Sequence, residues 1–460
     1  MEYNVLDNAK VGSMHRKITA LSVGGTFLDG YDIAIISVAL LVMGKATFGL
    51  NSSFGVAMIA ASTTIGMFVG AILFGYITDL YGRRTMYMYD MALFIVMTIA
   101  TAFSWNFDSL FTMRFILGLG LGADYAIGTT IISEFSPVRA RGKLLLLNNL
   151  AWYVGAVLAA VTGYFLLTLG AQSWRYMFLL GVIPAAIILV LRRDVPESPR
   201  WLNNKGRMKE ASAVEIELTG STDNLAQIKR DNKNPLRDLL SRKYIRSLLF
   251  IGIFWFVFDA SFYGISIFSP TILELLGLKA REAVLGSAVF DFFAITGVII
   301  AILLIDRIGR KGITIIGFSG MVVSLAALGL VTLHIPDKAA FVTAGALIFA
   351  LFLIFYITEA IGPGSTDFVY PVELFPTEDR ATAQGFGTSV SRIGAILGIT
   401  TFPFIVSDYG FSTSLFFFTT LSLIGLLATI FLGIETKGKS LEEINREEEH
   451  PEILVMAEPE

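Results

Sequence analysis

Twelve long apolar runs constrain the fold of this 460-residue chain more than any other feature. Most have about 20 residues or more, enough for a helix to cross the roughly 30 Å hydrocarbon core of a bilayer. Continuous apolar runs predict helices and not barrel strands, because strands that span a membrane alternate apolar and polar residues. The sequence therefore predicts an all-α integral membrane protein. The predicted spans lie at about 18–44, 54–78, 86–104, 110–133, 144–169, 174–191, 245–276, 283–305, 312–333, 341–370, 381–406 and 411–433.

Composition supports a chain that is surrounded mainly by lipid. Hydrophobic residues make up 54% of the sequence and charged residues only 16%, whereas a soluble domain carries about 25% charged residues. There is no cysteine, which excludes disulfides and thiol catalysis. The three histidines, His15, His334 and His450, lie outside the predicted spans. Any proton relay in the membrane is therefore expected to use carboxylates.

Basic residues occur mainly in alternate loops. They precede the first span and follow the second, fourth and eighth spans, while the opposite loops carry few. By the positive-inside rule, both termini are expected to be cytoplasmic. The first span does not have the pattern of a cleaved signal peptide, because no small-residue cleavage site follows a short apolar core.

Two motifs recur in the same order in each half of the chain. "DLYGRR" at 79–84 is answered by "DRIGRK" at 306–311, and "SEFSPVRARG" at 133–142 by "VELFPTEDRATAQG" at 372–385. Parallel repeats of this kind are typical of transporters whose substrate site lies between the halves. We predict two pseudo-symmetric six-helix bundles at 1–191 and 245–434, a cytoplasmic linker at 192–244 and an acidic cytoplasmic tail at 435–460.

The repeated motifs predict a latch at the cytoplasmic end. A glycine allows a tight turn, and the adjacent charges can form pairs that make and break between conformations. We interpret these residues as conformational elements and not as substrate ligands. They are Asp79, Gly82, Arg83, Arg84, Glu134 and Arg141 in the first half, and Asp306, Arg307, Gly309, Arg310, Glu373 and Arg380 in the second.

Ionisable residues inside the spans are functional candidates, because burying a charge in a membrane is costly. Helical spacing places Asp29 with Asp32 on one face, and Trp255, Asp259 and Tyr263 on another. For each candidate a structural ion pair remains the alternative, and Arg114 could simply neutralise Asp32. Trp152 and Tyr125 have polar groups near the inferred cavity. The other candidates are Asp124, Glu359, Asp367 and Arg392, with Asp291 as a weaker one.

Further motifs resemble those of the major facilitator superfamily. They are "GYITDLYGRRT", "RFILGLGLGAD", "PESPRWL" at 196–202 and "ETKGKSLEEI" at 435–444, the last two similar to the sugar-porter-like branch. The resemblance covers nearly the whole chain. It implies twelve helices in two bundles and transport by alternating access.

A narrower resemblance links "LDGYD", "GLGADYAIGTTIISE", "WFVFDASFYG", "GPGSTDFVYPVELFPT" and "SRIGA" to the phosphate:proton symporters of that superfamily. It implies proton carriers at Asp32, Asp124 and Asp259. It also implies substrate contacts at Tyr125, Trp255, Tyr263 and Arg392. "DGYD" is similar to the aromatic-acid:proton symporters as well. Gly364 and Trp152 stand where the phosphate group has amides, which makes a small organic anion an open alternative.

The expected function is proton-coupled symport of a small anion, with phosphate favoured. Protonation of Asp259 would remove its repulsion of the anion, which could then pair with Arg392. Asp29, Glu359 and Arg114 are expected to take part in proton coupling, and Trp152 in substrate binding. Proton symport of organic acids, transport of a sugar or other neutral solute, and a non-transporting nutrient sensor remain alternatives. We expect no enzyme activity, metal, cofactor or nucleic acid partner, and a monomer in the plasma membrane.

Overall fold

The computed structural model describes residues 8–221, 244–335, 342–375 and 380–439. All regular secondary structure in this part of the chain is helical. Most of the predicted linker (222–243) and of the predicted tail (440–460) lies outside the described residues, as do the side chains of Asp79 and Arg380.

Twelve helices, or helix segments, are long and apolar enough to cross a membrane. In the amino-terminal half the spanning helices are α1 (Ser13–Val42), α2 (Ser53–Tyr81), α3 (Arg83–Ala102), α4 (Phe107–Phe135), α5 (Val138–Leu166) and α6 (Ser173–Arg192). Two short helices follow, α7 (Pro199–Asn204) and α8 (Met208–Thr219). The remaining helices are α9 (Ile245–Ser266), α10 (Ser269–Leu275), α11 (Ala280–Ile308), α12 (Arg310–Leu333), α13 (Gly345–Ile361), α14 (Pro363–Thr366), α15 (Tyr370–Glu373), α16 (Arg380–Tyr409) and α17 (Phe411–Leu432).

The seventh and tenth spans are interrupted, whereas the sequence predicted one continuous run for each. Pro270 stands in the first turn of α10 and Pro363 in the first turn of α14. Proline has no backbone N–H and clashes with the preceding turn, so it begins a new helix and does not continue the old one. The short segments α14 and α15 therefore give the part of the tenth span that leads to the basic end an irregular backbone, which lies buried in protein.

The first helix begins earlier than predicted. It starts at Ser13, so His15 lies within it and is buried at 2% exposure. The expectation that every histidine lies outside the spans is therefore wrong for His15. The apolar run underestimates this helix because its first turn is polar.

Contacts between the two halves follow the internal repeat. Helix α2 packs against α16, and α11 packs against α5. Counting spans, these are the second with the eleventh and the eighth with the fifth. In two repeats of six spans, the second span corresponds to the eighth and the fifth to the eleventh. The two contacts between the halves are therefore equivalent, as expected for parallel repeats.

We name the two ends of the bundle by their loops. The basic end carries the turns between α2 and α3, α4 and α5, and α11 and α12. The opposite end carries the turns between α1 and α2, α9 and α11, and α16 and α17. These names leave open which end faces the cytoplasm.

Candidate functional site

A small cavity lies between the halves, with walls from α4, α5, α9, α14 and α16. We call it the central cavity. It offers about 20 Å³ to the centre of a water molecule, which is room for about one water. An organic solute can therefore enter only after the halves move. Most of the wall is aromatic and consists of Tyr125, Trp152, Tyr153, Phe258, Phe262, Tyr263 and Phe368.

Arg392 is the one cation among the described residues of this wall. Its Nη1 donates to the Tyr263 hydroxyl at 2.9 Å and lies 3.6 Å from Oδ2 of Asp259. The guanidinium carbon lies 4.7 Å from the centroid of the Tyr125 ring. Arg392 and Asp259 are both 1% exposed. The ion pair is longer than a normal hydrogen bond, so Asp259 holds the guanidinium less tightly than a hydrogen-bonded carboxylate would.

Asp29 lies behind the aromatic wall on the amino-terminal side. Its Oδ2 accepts hydrogen bonds from the Tyr125 hydroxyl at 2.8 Å and from Trp152 Nε1 at 2.9 Å. Its Oδ1 has no hydrogen-bond partner among the described residues. The carboxylate therefore fixes the orientation of two side chains that face the central cavity.

Close helix packing brings these groups together in both halves. A Cβ atom on Gly30 of α1 would lie 2.0 Å from the carbonyl oxygen of Trp152, and one on Gly398 of α16 would lie 2.0 Å from that of Ala260. Only glycine allows backbones to approach so closely. The α1–α5 contact positions Asp29 beside Trp152, and the equivalent α9–α16 contact positions Asp259 near Arg392.

Asp32 is held away from the central cavity by an ion pair. Arg114 donates to its two carboxylate oxygens at 3.3 and 3.0 Å, and Thr63 lies at 3.4 Å. All three side chains are buried. This arrangement is the neutralising pair that the sequence left as an alternative, and the proton-coupling roles of Asp32 and Arg114 stay predictions.

Asp124 lies next to Tyr125 in sequence, but its side chain belongs to a different cluster. Arg192 donates to Asp124 at 2.6 Å and to Asp90 at 3.2 Å, and its guanidinium stacks on the Tyr87 ring. The sequence assigned position 192 to the linker, whereas Arg192 ends α6 and is fully buried. Asp124 is not part of the central cavity wall, and its proton-carrying role stays a prediction.

Trp255 and Glu359 lie next to the central cavity and do not line it. Trp255 is fully buried against Gly387, and its indole N–H has no partner among the described residues. Glu359 accepts a hydrogen bond from the Tyr153 hydroxyl across the halves. Their expected roles in substrate binding and proton coupling are not tested by these positions.

Sequence reasoning missed Asn149 and the three phenylalanines of the wall, Phe258, Phe262 and Phe368. Asn149 faces the central cavity, and its amide donates to Ser365 Oγ of α14 at 3.3 Å. The available signal was the pair "NN" in the fifth span, in which the neighbouring Asn148 instead accepts from Thr26 at 3.1 Å. Asp367, a candidate by its position in the tenth span, also lines the central cavity.

The latch residues form equivalent pairs at the basic end of each half. Arg83 lies 3.1 Å from Glu134, and Arg310 lies 3.0 Å from Glu373. Asp306 lies 3.8 Å from Arg310 in the second half. The predicted pairing is therefore present in this conformation, and its role in a conformational cycle stays a prediction.

The other described latch residues contact mainly backbone. Arg84 donates to the carbonyl of Arg193 at 2.9 Å, and Arg141 to that of Ser136 at 3.3 Å. The carbonyl of Arg307 accepts from Lys437 at 2.9 Å. These contacts connect the latches to the segments that follow α4, α6 and α17.

Two glutamates that the sequence did not single out complete the latches. Glu197 accepts from the backbone N–H groups of Arg83 and Arg84 at 3.0 and 3.2 Å. Glu435 accepts from those of Arg310 and Lys311 at 3.0 and 3.1 Å. Free N–H groups and the dipole at a helix N-terminus favour a carboxylate there. Burial nevertheless raises the pKa of Glu197, against the hydrogen bonds that lower it.

Contacts between the halves hold both ends together. At the basic end Lys143 forms an ion pair with Asp306 at 2.9 Å. At the opposite end Arg281 donates to the carbonyl of Tyr164 at 3.2 Å and stacks on its ring. In the described part of the chain, α5 and α11 therefore connect the two halves at both ends of the bundle.

Comparison with known proteins identifies the family. Residues 17–447 match the family model described as "Sugar (and other) transporter". The chain is 37% identical over 440 residues to "Putative metabolite transport protein YaaU" of Escherichia coli (strain K12), covering 95% of each chain. It is 28% identical over 447 residues to "Niacin transporter NiaP" of Acinetobacter baylyi, covering 95% of this chain and 98% of that one.

A solved structure has the same fold. The proton:xylose symporter XylE from E. coli, bound to 6-bromo-6-deoxy-D-glucose, superposes with a TM-score of 0.79 at 24% identity, covering 94% of this chain and 99% of that one. That protein belongs to the major facilitator superfamily. The fold and the family match together show that this chain is a multi-pass membrane transporter of small solutes, and not an enzyme, in the sugar (and other) transporter family.

Proposed function

We propose that this transporter is a proton-coupled symporter that imports a small organic anion, with a monocyclic aromatic acid preferred to inorganic phosphate. The observation that carries the proposal is the single buried cation Arg392 in an aromatic wall, with Asp259 beside it. A carboxylate group would pair with the guanidinium, and a ring would stack on the aromatic side chains.

The charges around the central cavity favour coupling to protons. Asp259 and Asp367 line it and Asp29 lies behind it, so one cation stands among three carboxylic acids. An anion that binds Arg392 would also lie near Asp259. At roughly 4 Å and an effective dielectric of about 20, two like charges repel by about 4 kcal/mol, or roughly a thousandfold in affinity. Protonation of Asp259 removes this repulsion and so links anion binding to a proton.

The wall also favours an organic anion over phosphate. Phosphate is small and strongly hydrated, so its binding site needs many hydrogen-bond donors, and an apolar ring surface contributes nothing to it. Seven of the twelve described residues of the wall are aromatic, and Trp152 directs its N–H to Asp29 and away from a substrate. The similarity to a niacin transporter is compatible with this class, because niacin is an aromatic acid, but it does not discriminate, since a putative inorganic phosphate transporter of Oryza sativa is also 28% identical.

Phosphate remains the second candidate. The motifs that resemble phosphate:proton symporters include Tyr125, Tyr263 and Asp259, all of which lie in the wall. Asn149, which lies outside the motifs that resemble the phosphate:proton symporters, adds an amide to this wall. These groups could supply donors to phosphate oxygens after the halves separate.

We further propose how the molecule is placed and moves. The basic end faces the cytoplasm of the cell, both termini lie there, and the protein acts as a monomer in the plasma membrane. The bundles 1–191 and 245–434 rock about the central cavity, and the latch pairs hold the basic end closed in one state. Asp29 and Asp259 carry the coupled protons, whereas the ion pairs of Asp32 and Asp124 would have to break before either could do so.

Uptake into proteoliposomes tests the substrate class. Inorganic phosphate, nicotinate, benzoate, succinate and xylose are compared as labelled solutes, with and without an inwardly directed proton gradient. We expect gradient-stimulated uptake of an aromatic acid and little uptake of phosphate. Uptake of phosphate alone would favour the second candidate, and xylose uptake that ignores the gradient would contradict both.

A further inference from the structure

A second cavity lies nearer the opposite end, on the other side of Trp152 from the central cavity. We call it the serine vestibule. Its polar wall is formed by Ser37, Ser266, Ser269, Ser287 and Asp291, and it offers about 20 Å³ to the centre of a water molecule. Trp152 lines both cavities. The vestibule is therefore separated from the substrate position by one indole ring.

Asp291 is the unusual member of this wall. Its residue exposure is 8%, and it forms no hydrogen bond or ion pair with any described residue. Ser37 and Ser287 donate to carbonyls of their own helices, Ala34 and Val284. Two of the four serine hydroxyls in this wall therefore donate to backbone carbonyls and not to the carboxylate of Asp291. Burial of a charged carboxylate without a cation is unfavourable, so this environment favours the neutral acid.

No ion pair joins Asp291 to a basic residue in the described part of the surrounding helices. Helices α5, α10 and α13 pack against α11, and their ionisable residues include Tyr153, Glu274, Tyr356 and Glu359. Of the described basic residues of α12, Arg310 and Lys311 lie at the basic end. On α1, Asp32 is turned to Arg114.

We propose that Asp291 is a proton-binding site that takes up a proton from the opposite side of the membrane while the vestibule is open. A hydronium ion in the vestibule transfers its proton to a carboxylate oxygen of Asp291 and leaves as water. The neutral acid can then be enclosed without a partner. The serine hydroxyls and the vestibule water provide the oxygen atoms along which the proton arrives.

The surroundings of Asp291 give this site a route to the central cavity. Asp291 of α11 and Glu359 of α13 are buried on two helices that pack against each other. Glu359 accepts a hydrogen bond from Tyr153, which lines the central cavity. A role of Asp291 in transport rests on the proposed proton coupling. Proton binding at Asp291 does not depend on which solute is carried.

Infrared difference spectroscopy tests proton binding without any transported solute. The purified full chain in lipid vesicles is cycled between acidic and alkaline pH, and the carbonyl stretch of protonated carboxylic acids is recorded. We expect Asp291→Asn to lose one carboxylic acid band that the wild type and Asp408→Asn both show. Asp408 is an exposed carboxylate at the opposite end and serves as the matched control. Subtracting the spectrum of each variant from that of wild type removes the bands of the other buried acids.

A second variant and a salt comparison keep the proposal falsifiable. Asp291→Glu is expected to retain the band at a shifted frequency, which shows that a loss in Asp291→Asn does not reflect misfolding. Replacing choline chloride with sodium chloride at fixed pH is expected to leave the band unchanged. Loss of the band in sodium would overturn the proposal in favour of a metal cation site, and an unchanged spectrum in Asp291→Asn would overturn it altogether. Neither result would bear on the substrate class.

Discussion

In the proposed mechanism, Arg392 exchanges partners before a substrate binds. In the present conformation it donates to Tyr263, lies 3.6 Å from Asp259 and stacks on the Tyr125 ring. A carboxylate that replaced Asp259 could accept two parallel hydrogen bonds from the guanidinium. The aromatic contacts would remain, so the cation would keep its position while its charge partner changed.

Substitution of Arg392 is expected to weaken binding in two steps. Arg392→Lys retains the charge but loses the planar fork, and Arg392→Gln loses the charge as well. Charge-assisted hydrogen bonds contribute about 1.5–3 kcal/mol, so Arg392→Gln should raise the KM for the best-transported acid about 10- to 100-fold. Arg392→Lys should have an intermediate effect.

The control for this series is Arg246→Gln, which removes an exposed arginine at the basic end. It is expected to leave the KM unchanged. A wild-type KM in Arg392→Gln would show that the anion binds elsewhere.

The sequence singled out half of the residues that line the central cavity, but not their partners. The spacing of Trp255, Asp259 and Tyr263 predicted one helical face, and two of these three residues line the cavity. The hydrogen bond from Trp152 to Asp29 could not be predicted, because it depends on the rotation and tilt of α1 against α5. The same dependence explains why neighbouring Asp124 and Tyr125 serve different clusters.

At the scale of elements, the two latch turns depend on glycine for both backbone and space. Gly82 has φ 102° and Gly309 has φ 90°, a region that is essentially restricted to glycine. A Cβ on either residue would lie 2.4 or 2.2 Å from an oxygen of Glu197 or Glu435. Each turn thus joins two spanning helices and holds the carboxylate that caps the second one.

Gly309→Ala is expected to destabilise the protein by more than the cost of the strained backbone conformation, because the new Cβ also displaces Glu435. Strained backbone of this type costs about 1–3 kcal/mol, and displacement of Glu435 leaves two N–H groups of α12 without their acceptor. Thermal unfolding in detergent should show a lower midpoint for Gly309→Ala than for Gly170→Ala. Gly170 has φ 78° and ψ −157° with no heavy atom within 4 Å of its Cβ position, so it isolates the backbone cost. Equal midpoints would show that the cap of Glu435 adds nothing.

The helices themselves illustrate where apolar runs suffice and where they do not. Apolar length located all twelve spans, because the bilayer sets the length of each helix. The breaks at Pro270 and Pro363 were missed, since hydropathy is insensitive to a missing N–H. The first turn of α1, which contains His15, was missed because its residues are polar and hydropathy detects only apolar residues.

At the scale of the whole molecule, contacts between the halves are present at both ends while the central cavity has room for about one water. At the basic end the Lys143–Asp306 pair joins the halves, whereas each latch pair lies within one half. Alternating access would require these contacts to break in turn with those at the opposite end. The chain contains no cysteine, so a single introduced cysteine can report on each end without background.

Weakening both latches is expected to open the basic end. Thr388 of α16 is fully buried, and its hydroxyl has no partner among the described residues. Glu134→Gln combined with Glu373→Gln should raise the rate at which a membrane-impermeant maleimide labels Thr388→Cys from the basic side. Both pairs are buried, so their loss should raise the rate by about tenfold or more. Labelling of Asp408→Cys at the opposite end should not change. An unchanged rate at Thr388→Cys would mean that the latches do not hold this conformation.

The most direct test of proton coupling compares wild type with Asp259→Asn in proteoliposomes under an inwardly directed proton gradient. The wild type is expected to accumulate the best-transported acid above its external concentration. Asp259→Asn, which cannot change its charge, is expected to exchange labelled for unlabelled acid but not to accumulate it. Accumulation by Asp259→Asn at the wild-type level would contradict the assignment of the coupled proton to Asp259.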